Sequence, residues 1–289
     1  MRFGLFICGM AVIFGSGAGP EAKGLYRLNA DGTGLKLVVG VDKGAPTSPQ
    51  QSPDGKLIAF DKTDVHNEQN QPTLEFDHIF VVPSEGGEAK DFGPGMLPSW
   101  SPDSKQICFT VAPGAKEAEP GLYVMNADGS GRQWLFNAYA ARWSPDGGRI
   151  AYFVDDTLWV YDILAGAKMQ LTARSQWMTG TPAWSPDGKK IAFIYRGDAD
   201  HTISIVDADK EMQEPRVLWE GHGISRSPSW APNEKILVFA NPEGTNDIYV
   251  LDTAKKQQPA RPFEGKLNFH PKDVSWAADG AGIVFIKPN

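Results

Sequence analysis

Six near-copies of one short phrase constrain this chain more than any other feature of it. They read "QQSPDGKLIAF" (50–60), "SWSPDSKQICF" (99–109), "RWSPDGGRIAY" (142–152), "AWSPDGKKIAF" (183–193), "SWAPNEKILVF" (229–239) and "SWAADGAGIVF" (275–285). Successive copies stand 41 to 49 residues apart. A period of about 45 residues built from short strands belongs to propellers and solenoids, where each unit buries its apolar face only against its neighbours.

The phrase divides into a turn and a strand. S-P-D-G suits a type I turn: serine opens it, proline presets φ, and glycine takes the left-handed position that completes many three-residue hairpins. Asp54, Asp103, Asp146 and Asp187 therefore read as turn formers that bond nearby amides, not as a catalytic carboxylate array. Ser104 and Glu234 in place of glycine, and Ala278 in place of proline, read as decay of the repeat. Six positions after each turn opening comes Ile58, Ile107, Ile150, Ile191, Leu237 or Ile283, and two further on Phe60, Phe109, Tyr152, Phe193, Phe239 or Phe285. That alternation is a strand with one bulky face. Cys108 falls in the small apolar slot between them, which predicts an inert buried thiol. Trp100, Trp143, Trp184, Trp230 and Trp276 precede the turn, with Gln51 in the first copy, and a fixed aromatic slot predicts packing between units.

A second hairpin alternates with the first. It opens with "GLYRLNADG" (24–32), "HIFVVPSEGG" (78–87), "GLYVMNADG" (121–129), "TLWVYDILAG" (157–166), "TISIVDADK" (202–210) and "DIYVLDTAK" (247–255). Two hairpins per unit predict an all-β, six-bladed β-propeller of four-stranded blades. The chain begins with a second-type hairpin and ends with a first-type one. A closed ring pairs them in one blade and leaves no unpaired strand edge at either end.

The run W-S-P-D-G-K-x-I-A-F followed by I-Y-V-x-D resembles the TolB-type propeller repeats of exported bacterial proteins. The resemblance implies a binding scaffold in the cell envelope. The few residues ahead of Leu25 leave no room for the α/β domain that precedes the propeller in TolB itself. The same propeller also precedes the hydrolase domain of prolyl oligopeptidase-like enzymes, a domain for which no residues remain after Asn289.

The amino-terminal stretch is different in kind. "MRFGLFICGMAVIFGSGAG" carries one arginine, an apolar run from Phe3 to Phe14 and then small residues, and it predicts a signal peptide over 1–18, with one propeller domain over 19–289. The apolar run is too short to span a bilayer, so no stable membrane insertion of the mature chain is expected. Removal of 1–18 would leave Cys108 as the single cysteine, and a periplasmic or secreted location needs no disulfide at this size. A net charge of −7 argues against a nucleic-acid surface.

Catalytic motifs do not emerge. There is no G-x-S-x-G, H-E-x-x-H, phosphate loop or dinucleotide fingerprint. His66, His222 and His270 lie in connections, His78 and His201 at strand openings, and the acids of 198–201 and 207–211 lack the glycine and distal glutamate of a calcium loop. The reading is a non-catalytic propeller without cofactor or metal. Its partner is another exported or envelope protein, or a small ligand at the ring mouth. The alternative is an enzyme resembling oligogalacturonate lyases, with a metal site built from loops.

In either case a working face must be chosen. Turns within the hairpins share one face, and the links between hairpins share the other. The first is uniform in length; the second runs from 4 to 17 residues across 61–77, 111–120, 154–157, 195–202 and 241–246. Variable loops carry binding chemistry, so the expected binding face holds His66, Glu68, Arg174, Trp177, Arg196, Asp198, His222, Arg226, His270 and Lys272.

Overall fold

The computed structural model describes residues 22–41, 45–63, 77–115, 118–173, 178–196, 201–221, 227–232, 236–241, 247–254, 260 and 271–287. The stretch assigned to a signal peptide lies outside the described residues. The chain runs through β1 (Gly24–Asn29), β2 (Lys36–Gly40), β3 (Ala45–Gln51), β4 (Leu57–Thr63), β5 (His78–Pro83) and β6 (Lys90–Pro94). It continues with β7 (Met96–Trp100), β8 (Gln106–Val111), β9 (Gly121–Asn126), β10 (Gln133–Phe136), β11 (Tyr139–Trp143), β12 (Arg149–Val154), β13 (Thr157–Asp162) and β14 (Ala167–Gln170). The last third contains β15 (Met178–Trp184), β16 (Lys190–Arg196), β17 (His201–Asp207), β18 (Arg216–Gly221), β19 (Ser229–Trp230), β20 (Ile236–Asn241), β21 (Asp247–Asp252), β22 (Lys272–Trp276) and β23 (Gly282–Lys287).

These strands form an all-β propeller of four-stranded antiparallel blades. Six four-stranded blades were expected, and the number is corrected to five: β3-β4-β5-β6, β7-β8-β9-β10, β11-β12-β13-β14, β15-β16-β17-β18 and β22-β23-β1-β2. A further sheet, β19-β20-β21, has three strands. The reason is local: the stretch that would supply its outer strand, 255–270, lies outside the described residues except for Ala260, which pairs with Val250 of β21. The innermost strands β3, β7, β11, β15, β19 and β22 each contact the next around a closed circuit.

Ring closure takes the expected form. β1 lies antiparallel to β23 over six residue pairs, from Gly24 opposite Lys287 to Asn29 opposite Gly282. Arg27 Nη2 reaches Asp279 Oδ2 at 2.9 Å across the same seam. Burial explains why the repeat holds its large residues. Ile58, Ile107, Ile150, Ile191 and Ile283 are buried, as are Phe60, Phe109, Tyr152, Phe193 and Phe285. Neighbouring blades share these cores: Ala59, Ile79 and Val81 of one pack with Trp100, Ile107 and Phe109 of the next. Burying a side chain of this size contributes ~1.5–3 kcal/mol, so the seams between blades, not any one blade alone, stabilise the ring.

The S-P-D-G turns are built as their chemistry requires. In the first, the Ser52 hydroxyl donates to Asp54 Oδ1 at 2.6 Å and accepts the Leu57 amide at 3.0 Å, while Asp54 Oδ1 accepts the Lys56 amide at 3.1 Å. The turns at Ser101, Ser144 and Ser185 repeat this pattern. Gly55, Gly147, Gly188 and Gly280 all have positive φ, between 67° and 76°. Ser104 also sits at φ 61°. It is not simple decay, because its hydroxyl accepts the Asp54 amide of the neighbouring blade at 3.0 Å.

Candidate functional site

Five of the six innermost strands, all but the two-residue β19, carry a register shift shortly before the tryptophan slot. It falls between Thr47 and Gln50 in β3, Met96 and Ser99 in β7, Tyr139 and Arg142 in β11, Thr179 and Ala183 in β15, and Lys272 and Ser275 in β22. Ser48, Leu97, Ala140 and Asp273 take positive φ at these bulges. A bulge turns backbone groups out of the ladder, and those groups need other partners. Asp61, 2% exposed, accepts the Leu97 amide at 3.0 Å and also accepts from the Thr47 hydroxyl. Thr110, in the equivalent position on β8, accepts the Ala140 amide through Oγ1 at 2.9 Å.

Two carbonyls of the β7 bulge and the carbonyl of neighbouring Ala141 engage Arg142. Its Nη1 donates to Pro98 O at 2.9 Å, Ala141 O at 3.2 Å and Leu97 O at 3.3 Å. Arg142 is 8% exposed. Burial pulls its pKa down to about 10, opposed by the Cys108 thiol and the Asp61 carboxylate. It remains charged at neutral pH. Beside it, burial pushes the Cys108 thiol up to about 12, which makes this cysteine the inert group the sequence predicted.

The tryptophans then close the seams. Trp100 Nε1 donates to Gln50 O at 3.1 Å, Trp184 Nε1 to Arg142 O at 3.0 Å and Trp230 Nε1 to Ala183 O at 3.0 Å. Where a serine precedes the slot on the neighbouring blade, the contact changes. Ser99 and Ser229 hydroxyls accept the backbone amides of Trp143 and Trp276 instead. The indole nitrogens of Trp143 and Trp276 are then left buried without a partner among the described residues.

Of these, Trp100, Arg142, Trp143, Trp184 and Trp230 help to line a cavity of about 440 Å³. Its walls are the tryptophan slots and the second-position prolines of adjacent S-P-D-G turns, among them Pro102, Pro145 and Pro186. It opens on the face of the uniform turns. Arg142 is the charged residue among those lining it.

The expected binding face is not the face of this cavity. Arg196 ends β16, where it pairs with His201, and Lys272 opens β22 opposite Ile286. His66, Glu68, Arg174, Trp177, Asp198, His222, Arg226 and His270 lie outside the described residues. Among the described residues no group of three His, Cys, Asp or Glu side chains is placed to hold a metal. Asp207 and Asp209, read as solvated turn acids, bond cations: Asp207 accepts from Lys190 at 2.9 Å and Lys210 at 2.5 Å, and Asp209 pairs with Arg149 at 2.6 Å. Hydrogen bonds from Lys210 and Lys190 hold the Asp207 carboxyl down at about 2. The missed residue was Arg142. Its signal lay in the slot before the tryptophan, which holds serine or alanine in the other copies with a tryptophan and arginine in this one.

The TolB beta propeller domain family matches residues 137–289, just over half of the chain. The chain belongs to this family. A solved structure of TolB from Acinetobacter baumannii superposes with a TM-score of 0.61 at 21% identity, covering 93% of this chain and 64% of that one. A TolB-type protein from Agrobacterium tumefaciens gives 0.69 at 16% identity, covering 92% of this chain and 98% of the other. At these identities the likeness concerns the fold. Dipeptidyl-peptidase 5 of Porphyromonas endodontalis is 33% identical over 203 residues, 65% of this chain and 28% of the peptidase. The chain thus spans under a third of that peptidase's length. No helix of the described residues is long and apolar enough to cross a membrane.

Proposed function

We propose that the protein is a non-catalytic binding scaffold, exported to the cell envelope in the manner of TolB-type proteins, whose partner enters the ring from the S-P-D-G turn face. The observation that carries this reading is the cavity of about 440 Å³ at the ends of the innermost strands. Its volume falls in the range of ~300–1,000 Å³ usual for ligand sites. Its walls come from several blades, so it exists only in the closed ring.

The variable-loop face, with Arg196 and Lys272, is the competing surface. A photo-crosslinking residue placed at exposed Pro145 on the turn face, or at exposed Asp155 in the β12–β13 turn opposite, separates the two. Exposed to cell-envelope extract, the chain labelled at Pro145 is expected to form a discrete adduct and the one labelled at Asp155 none. Adducts from Asp155 alone would place the binding face on the variable loops.

The identity to dipeptidyl-peptidase 5 favours a second reading, in which the propeller accompanies peptidase chemistry. Release of p-nitroaniline from dipeptidyl p-nitroanilides by the purified chain would establish that reading over the scaffold. Chelator-sensitive cleavage of pectic oligosaccharides would do the same for the lyase alternative.

A further inference from the structure

We propose that the cavity on the turn face binds a monocarboxylate carried on an apolar body, with Arg142 as the group that takes the carboxylate. The inference rests on the turn-face reading above and adds the chemistry of the ligand.

The guanidinium is held by one corner. All three of its hydrogen bonds leave from Nη1, toward Leu97, Pro98 and Ala141 carbonyls. Nη2 and Nε have no acceptor among the described residues, and Arg142 makes no ion pair there. The Nε–Nη2 edge presents two parallel N–H groups, the geometry that matches the two oxygens of a carboxylate. Fixing Nη1 to the bulge of β7 orients this edge before any ligand arrives, which lowers the entropic cost of binding.

Charge decides the ligand class. The chain carries a net −7, so a small anion gains nothing from the long-range field. Inside the cavity, by contrast, the described lining residues include one cation and no carboxylate. An ion pair in such an apolar, partly desolvated place is several-fold stronger than in water. One guanidinium edge matches one carboxylate. The proline walls and the half-buried Trp143 ring supply the apolar area that offsets desolvation of both charges. Stacking of a sugar across several rings fits poorly, because Trp100, Trp184 and Trp230 are only 4%, 8% and 8% exposed, which leaves half-buried Trp143 as the more open ring of the described lining.

The test uses two pairs of probes that differ only in charge: 3-phenylpropionate with 3-phenylpropionamide, and acetyl-Ala-Pro-Phe as free acid with its carboxamide. Binding is read from the indole N–H resonances of Trp143 and Trp184 in the intact chain. The acid of at least one pair is expected to bind ~10-fold or more tightly than its amide, and Arg142→Gln to abolish that preference. Binding of 3-phenylpropionate as tight as that of the peptide acid assigns a free small molecule; binding of the peptide acid alone assigns a peptide carboxyl terminus. Equal binding of acid and amide, or no binding of either acid, overturns the proposal. Should Arg142→Gln fail to fold, the acid–amide comparison on the unaltered chain still decides. Absence of acid preference with the Pro145 adduct retained removes this inference alone, whereas adducts from Asp155 only remove the underlying reading.

Discussion

The indole Nε1 of Trp184 donates to the backbone carbonyl of Arg142 at 3.0 Å, so a side chain of one blade is tied to the innermost strand of the blade before it. Trp143 fills the same slot one blade earlier, but its Nε1 has no acceptor among the described residues. The two make a matched pair. Trp184→Phe deletes a seam hydrogen bond, a loss of about 2–3 kcal/mol with the accompanying volume change. Trp143→Phe removes a donor that was already unsatisfied, and should cost at least 1 kcal/mol less. Urea denaturation of both variants checks this. Equal destabilisation would show the seam bond to be immaterial.

Gly121 opens β9 at φ 139°, where an added Cβ would stand 2.6 Å from Phe136 O and 2.9 Å from Trp134 Nε1. The nearer obstacle is backbone and has little freedom to move. Gly121→Ala is therefore expected to destabilise by about 2–4 kcal/mol, combining a conformation that L residues avoid with a clash against β10. Gly166 provides the control. It also has positive φ, 65°, yet an added Cβ meets nothing within 4 Å. Gly166→Ala should cost clearly less in the same melting experiment.

Asp54, Asp103, Asp146 and Asp187 all have carboxyl groups held below the ordinary carboxylate value, first by the hydroxyl of the turn serine and then by a backbone amide. A lowered folded-state value means stability that is present above the ordinary value near ~4 and lost as pH falls through the folded-state values. The melting temperature should therefore be flat above about pH 5 and decline below about pH 4. Changing all four to Asn keeps an acceptor oxygen but removes the charge. That variant should be less stable at neutral pH and converge with the unaltered chain in acid. Parallel curves at every pH would refute the assignment.

Closure through β1 and β23 buries Leu25, Tyr26 and Leu28 to 0–1% exposure. A chain lacking residues 22–40 exposes the edge of β23 and the seam beneath it. It is expected to lose cooperative unfolding in calorimetry and to associate through the bare edge. A truncated chain that melts as the full one does would mean the ring does not depend on this blade.

The repeat made most of this fold legible in the sequence. Turn chemistry, strand alternation and the tryptophan slot are local or strictly periodic properties, and each was met by Ser52 with Asp54, Ile58 with Phe60, and Trp100 in its seam. The candidate site was not legible in that way. Loop variability pointed to one face, while the described cavity lies on the other, where a uniform turn places prolines of several blades side by side. That juxtaposition depends on the inward curvature of the ring, which no single copy encodes. Arg142 illustrates the limit: the sequence marks it as the odd residue in its slot, but its role comes from the bulge at Leu97 in the neighbouring blade, 45 positions earlier in the chain. Local chemistry determined the blade; the guanidinium and the carbonyls that hold it meet only because closure packs one innermost strand against the next.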